Sequence, residues 1–315
     1  MTTFLDFEKP IAALQARILE LRDTADAGSL DIESEIKKLQ GKSDKLLKDT
    51  YAKLTPWQKT QVARHAQRPH FLNYVEAIFD EFIPLAGDRA FADDQAILGG
   101  FARRGNQRVI VIGHEKGHDT QSRLKHNFGM GKPEGYRKAI RLLELAEKFK
   151  LPVITLVDTS GAFPGIIAEE RGQAEAIARS TEKCLSLKVP MIAAIVGEGG
   201  SGGAIALAAA ERVFMFEHAV YSVISPEGCA SILWRTGDKA NEAAQAMKIT
   251  AADLKQLGVI DGVVEEPIGG AHRDPALASA TLGKTIFEEL EKLVKLDGEE
   301  LRRQRHEKFL TIGAL

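Results

Sequence analysis

Gly197-Glu198-Gly199-Gly200-Ser201-Gly202-Gly203 follows the apolar run Pro190 to Val196 and opens into the alanine-rich segment Ala204 to Ala210. Five glycines in seven residues remove the Cβ atoms from what the spacing predicts to be a strand-to-helix turn. Backbone N–H groups can then approach a ligand closely, and the helix that follows points its positive end at it. The stretch is expected to bind something electron-rich, and the choice among the motifs it fits decides the function.

Around it, the chain has a strand and helix rhythm. Leu151-Pro152-Val153-Ile154-Thr155-Leu156-Val157-Asp158 is an apolar run of buried-strand type, and Glu134 to Phe149 before it has helical periodicity in Ile140, Leu143 and Ala146. After the loop Thr159-Ser160-Gly161-Ala162-Phe163-Pro164-Gly165 a long helix is expected over about 168–187. Strand 190–197, the glycine turn, helix 203–211 and strand 212–217 complete the series. Such spacings require right-handed crossovers and mostly parallel pairing, so the core is α/β. Upstream, 96–102 and 108–112 flank the turn-like Gly105-Asn106-Gln107 and read as a hairpin.

Both flanks read as helical. Ile11, Leu14, Ile18 and Leu21, then Ile32, Ile36, Leu39 and Leu46 after the break Ala27-Gly28-Ser29, predict a helical hairpin. Asp31 is expected to cap its second helix, and Thr55 before Pro56 to start a third. Such a motif-free region reads as a packing or oligomer surface. Beyond Glu266-Pro267-Ile268-Gly269-Gly270 charged helices run to near Phe309.

Length and composition bound the function. A chain of 315 residues buries roughly three quarters of its unfolded surface and needs no staples. A net charge of −2 gives no nucleic-acid or anionic-membrane footprint. No leader-like start and no membrane-length apolar run stand out, so a cytoplasmic location is expected. Cys184 and Cys229 lack CxxC spacing and are read as reduced packing residues.

Four motif readings compete. Gly197, Gly199 and Gly202 satisfy GxGxxG, with Glu217 as an acidic ribose partner at the end of the next strand. This is the layout of an NAD(P)-dependent oxidoreductase, although such a turn belongs to the first βα unit of its domain and a strand and helix precede this one. Gly199-Gly200-Ser201-Gly202-Gly203 also satisfies GxSxG, and Asp261 and His272 follow in hydrolase order. His114-Glu115-Lys116-Gly117-His118 spells HExxH, but it extends a strand, where residues four apart lie about 13 Å from each other and beyond common metal coordination. The fourth reading is an oxyanion hole, with one donor from the glycine turn and another from Ser160-Gly161-Ala162. It alone accounts for both glycine-bearing loops.

At these residues the chain resembles the alpha subunits of bacterial acetyl-coenzyme A carboxylase carboxyltransferase. The resemblance is carried by 158–165, Ala168-Glu169-Glu170-Arg171-Gly172-Gln173, 197–203, Asn127-Phe128-Gly129-Met130, 133–139, 221–234, Gly269-Gly270-Ala271-His272-Arg273, Leu5-Asp6-Phe7-Glu8 and Ala63-Arg64-His65. It covers nearly the whole chain. Ser160 and His118 depart from the family pattern, which often has Pro and Arg there. Neither removes a backbone donor.

The resemblance implies a crotonase-like fold: a ββα spiral core over 81–270, an N-terminal helical region over 1–80 and C-terminal helices over 271–315. It implies transfer of a carboxyl group from carboxybiotin on a biotin carboxyl carrier protein to acetyl-coenzyme A, giving malonyl-coenzyme A for fatty-acid synthesis. The implied partners are a beta subunit in an alpha2beta2 assembly, carrying the zinc that this chain is not expected to bind, and a biotin carboxylase that uses the ATP. Gly202 and Gly203 are expected as helix-end donors, with Gly161 and Ala162 shaping the other side of the hole. Phe163, Pro164, Gly199, Gly200, Ser225, Pro226 and Glu227 are expected around the substrate. Lys116, Arg123, Lys125 and Arg137 form a basic series that reads as a solvated face or a contact for phosphate or carrier. An oxidoreductase and a non-catalytic scaffold remain the competing classes.

Overall fold

Every residue of Val153–Thr159 and of Met191–Gly200 is buried, because strands without polar alternation need apolar cover on both faces. They form the middle of an eight-stranded sheet. The computed structural model describes residues 3–24 and 30–313.

Helices come first. α1 (Lys9–Thr24) and α2 (Leu30–Tyr51) lie against each other, and Ile11 and Ile18 are buried. The break at Ala27-Gly28-Ser29 and the Asp31 side chain lie outside what is described; the second helix starts at Leu30, one residue ahead of its expected cap. α3 (Pro56–Ala63) begins as read: the Thr55 hydroxyl accepts from the Gln58 amide, and the Gln58 side chain accepts from the Thr55 N–H. α4 (Phe71–Ile78) leads into the sheet.

β1 (Glu81–Pro84), β2 (Ile97–Arg104) and β3 (Gln107–His114) pair antiparallel. The hairpin turn is tighter than expected, because Gly105 takes the left-handed conformation at φ 56° and lets the strands run on to Arg104 and His114. α5 (Thr120–Lys125) and α6 (Pro133–Phe149) follow. From here pairing is parallel: β3 with β4 (Val153–Thr159) and β4 with β5 (Met191–Gly200). Between them, the expected single helix is two, α7 (Ile166–Glu169) and α8 (Gln173–Ser186), because Gly172 at φ 77° breaks the run.

After β5 come α9 (Ser201–Ala208), β6 (Arg212–Phe216) and β7 (Val220–Ser222). Ile192 to Ile195 of β5 pair with β6, whereas Glu198, Gly199 and Gly200 pair with Val220, Tyr221 and Ser222 of β7. One strand therefore changes partner along its length, and the glycine cluster is half strand and half helix. The turn itself is confined to the Gly200-Ser201 step. α10 (Pro226–Trp234), α11 (Ala240–Met247) and α12 (Ala251–Gln256) precede β8 (Gly262–Val264), which pairs parallel with β6.

α13 (Pro275–Leu293) and α14 (Gly298–Thr311) close the chain. Arg305 of α14 is fully buried, pairs with Glu211, and donates to the carbonyls of Cys184 at 2.5 Å, Leu187 at 2.9 Å and Val189 at 3.2 Å. It thus satisfies acceptors at the end of α8 that have no helical donor. Cys184 is buried and unbridged, and burial pushes its thiol up to about 12, as suits a packing residue.

Candidate active site

β4 and β5 run parallel, so their ends deliver two loops to the same edge of the sheet. How closely those loops meet is set by atoms that glycines lack. A Cβ on Gly200 would lie 2.2 Å from the Ser160 oxygen, and one on Gly203 would lie 2.8 Å from the Gly161 carbonyl carbon and 2.9 Å from the Ala162 nitrogen. Gly197 leaves room for the Asp158 carboxylate, 2.4 Å from where its Cβ would be, and Gly199 for the Tyr221 ring at 2.9 Å. Gly202 is different: its nearest neighbour would be a methyl of Ile177 at 3.3 Å.

In front of these loops is a cavity of about 700 Å³. Ser160, Gly161 and Ala162 line one side and Ser201 and Gly202 the head of α9, while Val223, Ile224, Ser225 and Glu227 face them. The amides of the first turn of α9 have no acceptor one turn back, and Gly200 at the cap offers no side chain to take them. The Ala162 amide has no acceptor among the described residues. The Gly161 amide is already engaged by Thr159 Oγ1 at 3.1 Å, and the Thr159 hydroxyl donates to the Gly161 carbonyl at 2.7 Å. Gly161, at φ 148°, shapes the loop and Ala162 carries the open donor.

The remaining expected residues divide. Ser225 caps α10, accepting from the Gly228 amide at 3.1 Å, with Pro226 buried at the first helical position. Gly199, Gly200 and Gly203 sit behind the lining as the packing that permits it. Phe163 lies outside it, half-buried beside Lys132 with its carbonyl accepting from Gln173, and Pro164 is exposed.

Three motif matches come apart in space. Asp261 accepts from the Val213 amide at 2.6 Å and pairs with Lys308, while His272 stacks on His65 with ring centroids 3.7 Å apart. Neither reaches Ser201, so no acid–base relay serves its hydroxyl. His114 is buried at the end of β3 and the His118 side chain is 74% exposed, so the two imidazoles do not converge. Among the described residues no group of three or more His, Cys, Asp or Glu side chains is placed to hold a metal ion. For the dinucleotide layout, Gly197 to Gly200 form a paired strand, and the space at Gly197 is taken by a carboxylate.

Sequence reasoning missed the charges beneath the site. Asp158 is fully buried and receives Lys116 Nζ at 2.6 Å, His70 Nδ1 at 3.1 Å and the Glu198 amide at 2.9 Å. Burial pushes its carboxyl up, but Lys116 and His70 outweigh this and hold it well below the usual carboxylate range. Arg64, the C-cap of α3, binds Glu198 at 2.5 Å and Glu227 at 2.6 Å. Of the basic series, Lys116 and Arg123 line a second cavity of about 230 Å³ that shares Arg64 and Ser160 with the first. Arg137 instead donates to the Arg171 carbonyl and belongs to the fold. An acid at the end of an apolar strand was the one available signal for Asp158.

Comparison with known proteins agrees with this geometry. The family model described as acetyl co-enzyme A carboxylase carboxyltransferase-like matches residues 4–313. The acetyl-coenzyme A carboxylase carboxyl transferase subunit alpha of Rhizorhabdus wittichii is 74% identical over 313 residues, covering 99% of this chain and 100% of the relative. That of Sphingopyxis alaskensis is 69% identical, covering 99% of each. Among solved structures, a transcarboxylase 12S chain matches with a TM-score of 0.59 at 19% identity, over 73% of this chain and 42% of that one. A Pseudomonas malonate decarboxylase hetero-tetramer structure matches with 0.60 at 15% identity, over 74% of this chain and 91% of the matched chain. These structural likenesses fit the crotonase-like α/β core, and nothing in the comparisons supports the oxidoreductase. From the full-length match and the close relatives, the chain belongs to the acetyl co-enzyme A carboxylase carboxyltransferase family.

Proposed function

We propose that this chain is the alpha subunit that moves a carboxyl group from carboxybiotin on a carrier protein to the methyl carbon of acetyl-coenzyme A, and that its contribution is a wall of backbone N–H groups. The observation that carries this reading is the free first-turn amides of α9 together with the unpaired Ala162 amide, brought to one cavity by the near-contact of Gly203 with Gly161. Breaking the N–carboxylate bond puts negative charge on the ureido oxygen of biotin. The carboxylate leaves as CO2, the methyl proton passes to the ureido nitrogen as the thioester oxygen takes up charge, and the enolate carbon then attacks the CO2 to form the new C–C bond. Preorganised donors stabilise charge that appears only near the transition state, and no side-chain acid or base is required of this chain.

Gly202 and Ala162 supply the donors toward the ureido oxygen in this reading, with Gly203, expected as a second helix-end donor, setting their spacing from behind the lining, and a beta subunit supplies those toward the thioester. Ser225 and Glu227 form part of the opposite wall, with Pro226 buried behind them. The assembly is alpha2beta2, with zinc on the beta subunit and ATP used by a separate biotin carboxylase. A cytoplasmic setting belongs to the same proposal; among the described residues no helix is long and apolar enough to cross a membrane.

The test is carboxyl transfer by the chain purified with a beta subunit. Gly202→Pro deletes one N–H in the first turn of α9, where that N–H has no helical acceptor, and adds strain at the preceding Ser201, at φ 52°. It is expected to lower turnover about 10²–10³-fold. Gly202→Ala keeps the N–H, meets only side-chain methyls of Ile177, the nearer at 3.3 Å, which must give by a few tenths of an ångström, and is expected to lose far less. Near-normal malonyl-coenzyme A production by Gly202→Pro ends the donor assignment.

A further inference from the structure

The cavity that is to receive a developing negative charge has carboxylates in and under its lining. Glu227 lines it, and Glu198 stands two residues before the Gly200 cap of α9. Two unpaired carboxylates so close to an oxyanion would raise its energy, most of all where water is excluded. Both end on the same cation. Arg64 Nε and Nη2 donate to Glu198 Oε1 at 3.0 and 2.5 Å, and Nη1 donates to Glu227 Oε1 at 2.6 Å. The other Glu198 oxygen faces Lys116 at 3.9 Å, but Lys116 is held at 2.6 Å by Asp158. For Glu227, Arg64 is the sole cationic partner among the described residues.

We infer that Arg64, delivered by the C-terminus of α3, is a positioning residue for the transfer reaction: its guanidinium neutralises Glu198 and Glu227, so that the amide wall meets the substrate oxygen without an opposing charge. The helical region ahead of the sheet thereby takes part in the chemistry. The inference rests on the carboxyl-transfer reading and adds a residue to it. Arg64 also lines the cavity, but its Nε, Nη1 and Nη2 all donate to Glu198 or Glu227, so it is through the two carboxylates that it acts.

The decisive comparison is Arg64→Gln against Arg64→Gln/Glu227→Gln, each assayed for carboxyl transfer in complex with a beta subunit. Arg64→Gln is expected to lower kcat at least about tenfold with KM changed far less, as for loss of an effect felt mainly in the transition state. Removing the Glu227 charge in the double variant is expected to restore a large part of kcat, a coupling that a purely mechanical strut does not produce. Wild-type kcat in Arg64→Gln overturns the inference, and so does a loss that Glu227→Gln leaves unchanged. Should Arg64→Gln unfold, Arg64→Lys decides, since it keeps the charge without the fork. A kcat above about a tenth of wild type supports neutralisation, and a loss as deep as that of Gly202→Pro overturns it. If Gly202→Pro is also silent, the donor reading itself has failed; if only the Arg64 variants are silent, that reading stands and this inference alone falls.

Discussion

Gly203 stands so close to Gly161 that a methyl group on its α-carbon would lie 2.8 Å from the Gly161 carbonyl carbon. The neighbour is backbone, which gives way only if the loop 160–162 moves. Gly203→Ala is therefore expected to push the Ala162 amide away from the head of α9. Turnover should fall about 10²–10³-fold, as for loss of an oxyanion donor, with a stability cost of about 1–3 kcal/mol from overpacking. Steady-state carboxyl transfer and thermal unfolding of the same preparation check both. Turnover within a factor of two or three of wild type shows that the contact is not needed.

Ser201 adopts φ 52°, a left-handed conformation that costs a side-chain-bearing residue energy. Ser201→Gly relieves that cost while adding chain entropy, and is expected to leave the protein about as stable or up to ~1 kcal/mol more so. Ser201→Val, β-branched at the same φ, should unfold at clearly lower temperature. Activity separates the two roles of this residue. Removing a true serine nucleophile costs roughly 10⁶ in kcat, whereas Ser201→Gly is expected to stay within about 10²-fold of wild type. A loss of the nucleophile's size would reopen a relay that Asp261 and His272 do not assemble.

How much of this was legible follows from how far apart the interacting residues are in sequence. β4, the start of β5 and the Thr55-Pro56 cap are written in runs of a few residues, because burial on both faces and capping are local demands. The glycine cluster announced a close backbone approach, but not that half of it is strand, since that depends on β7 pairing with Glu198 to Gly200. Gly172 is visible in the sequence as a helix breaker, yet the helix expected over 168–187 runs across it. Arg64 could not be found from spacing at all: its carboxylates lie 134 and 163 positions downstream.

Arg68 and Glu266 form an ion pair at 2.7 Å with both side chains fully buried, and Arg68 also donates to the Val196 carbonyl at 2.8 Å. The pair ties the turn after α3 to the strand that ends in the active-site glycines. Replacing one partner leaves an uncompensated buried charge, so Arg68→Met should cost about 3–5 kcal/mol. Burial would raise the Glu266 carboxyl, but Arg68 overcomes this and holds it at about 2. A depressed carboxyl contributes stability that is present above its unfolded value near 4.5 and lost as pH falls toward 2. Denaturant unfolding of wild type should therefore weaken between pH 4.5 and 2.5, and Glu266→Gln should show a shallower decline. Parallel curves for the two proteins would remove Glu266 from the acid response.

His114 and His272 give a second pH dependence in a higher window. Burial pushes His114 down to about 3, and burial with the stacked His65 and nearby Arg273 and Arg68 does the same for His272, against a weaker opposing pull from Glu266. Among the described residues neither ring has a hydrogen-bond partner at either nitrogen. The folded protein thus resists protons that the unfolded chain accepts near pH 6.5, and stability is complete above that pH and falls as pH drops toward 3. Each such group contributes a slope approaching ~1.4 kcal/mol per pH unit within the window. Between pH 6.5 and 5, His65 and His218, also lowered by burial, add to this loss, while Asp94, raised by burial to about 6, opposes it, so the contribution of His272 is read as the difference in slope between wild type and His272→Gln. His272→Gln should remove one proton's worth of that slope while leaving carboxyl transfer at pH 8 measurable, because the His65–His272 stack lies outside the cavity lining. An unchanged slope in His272→Gln would mean that this imidazole is already charged in the folded protein.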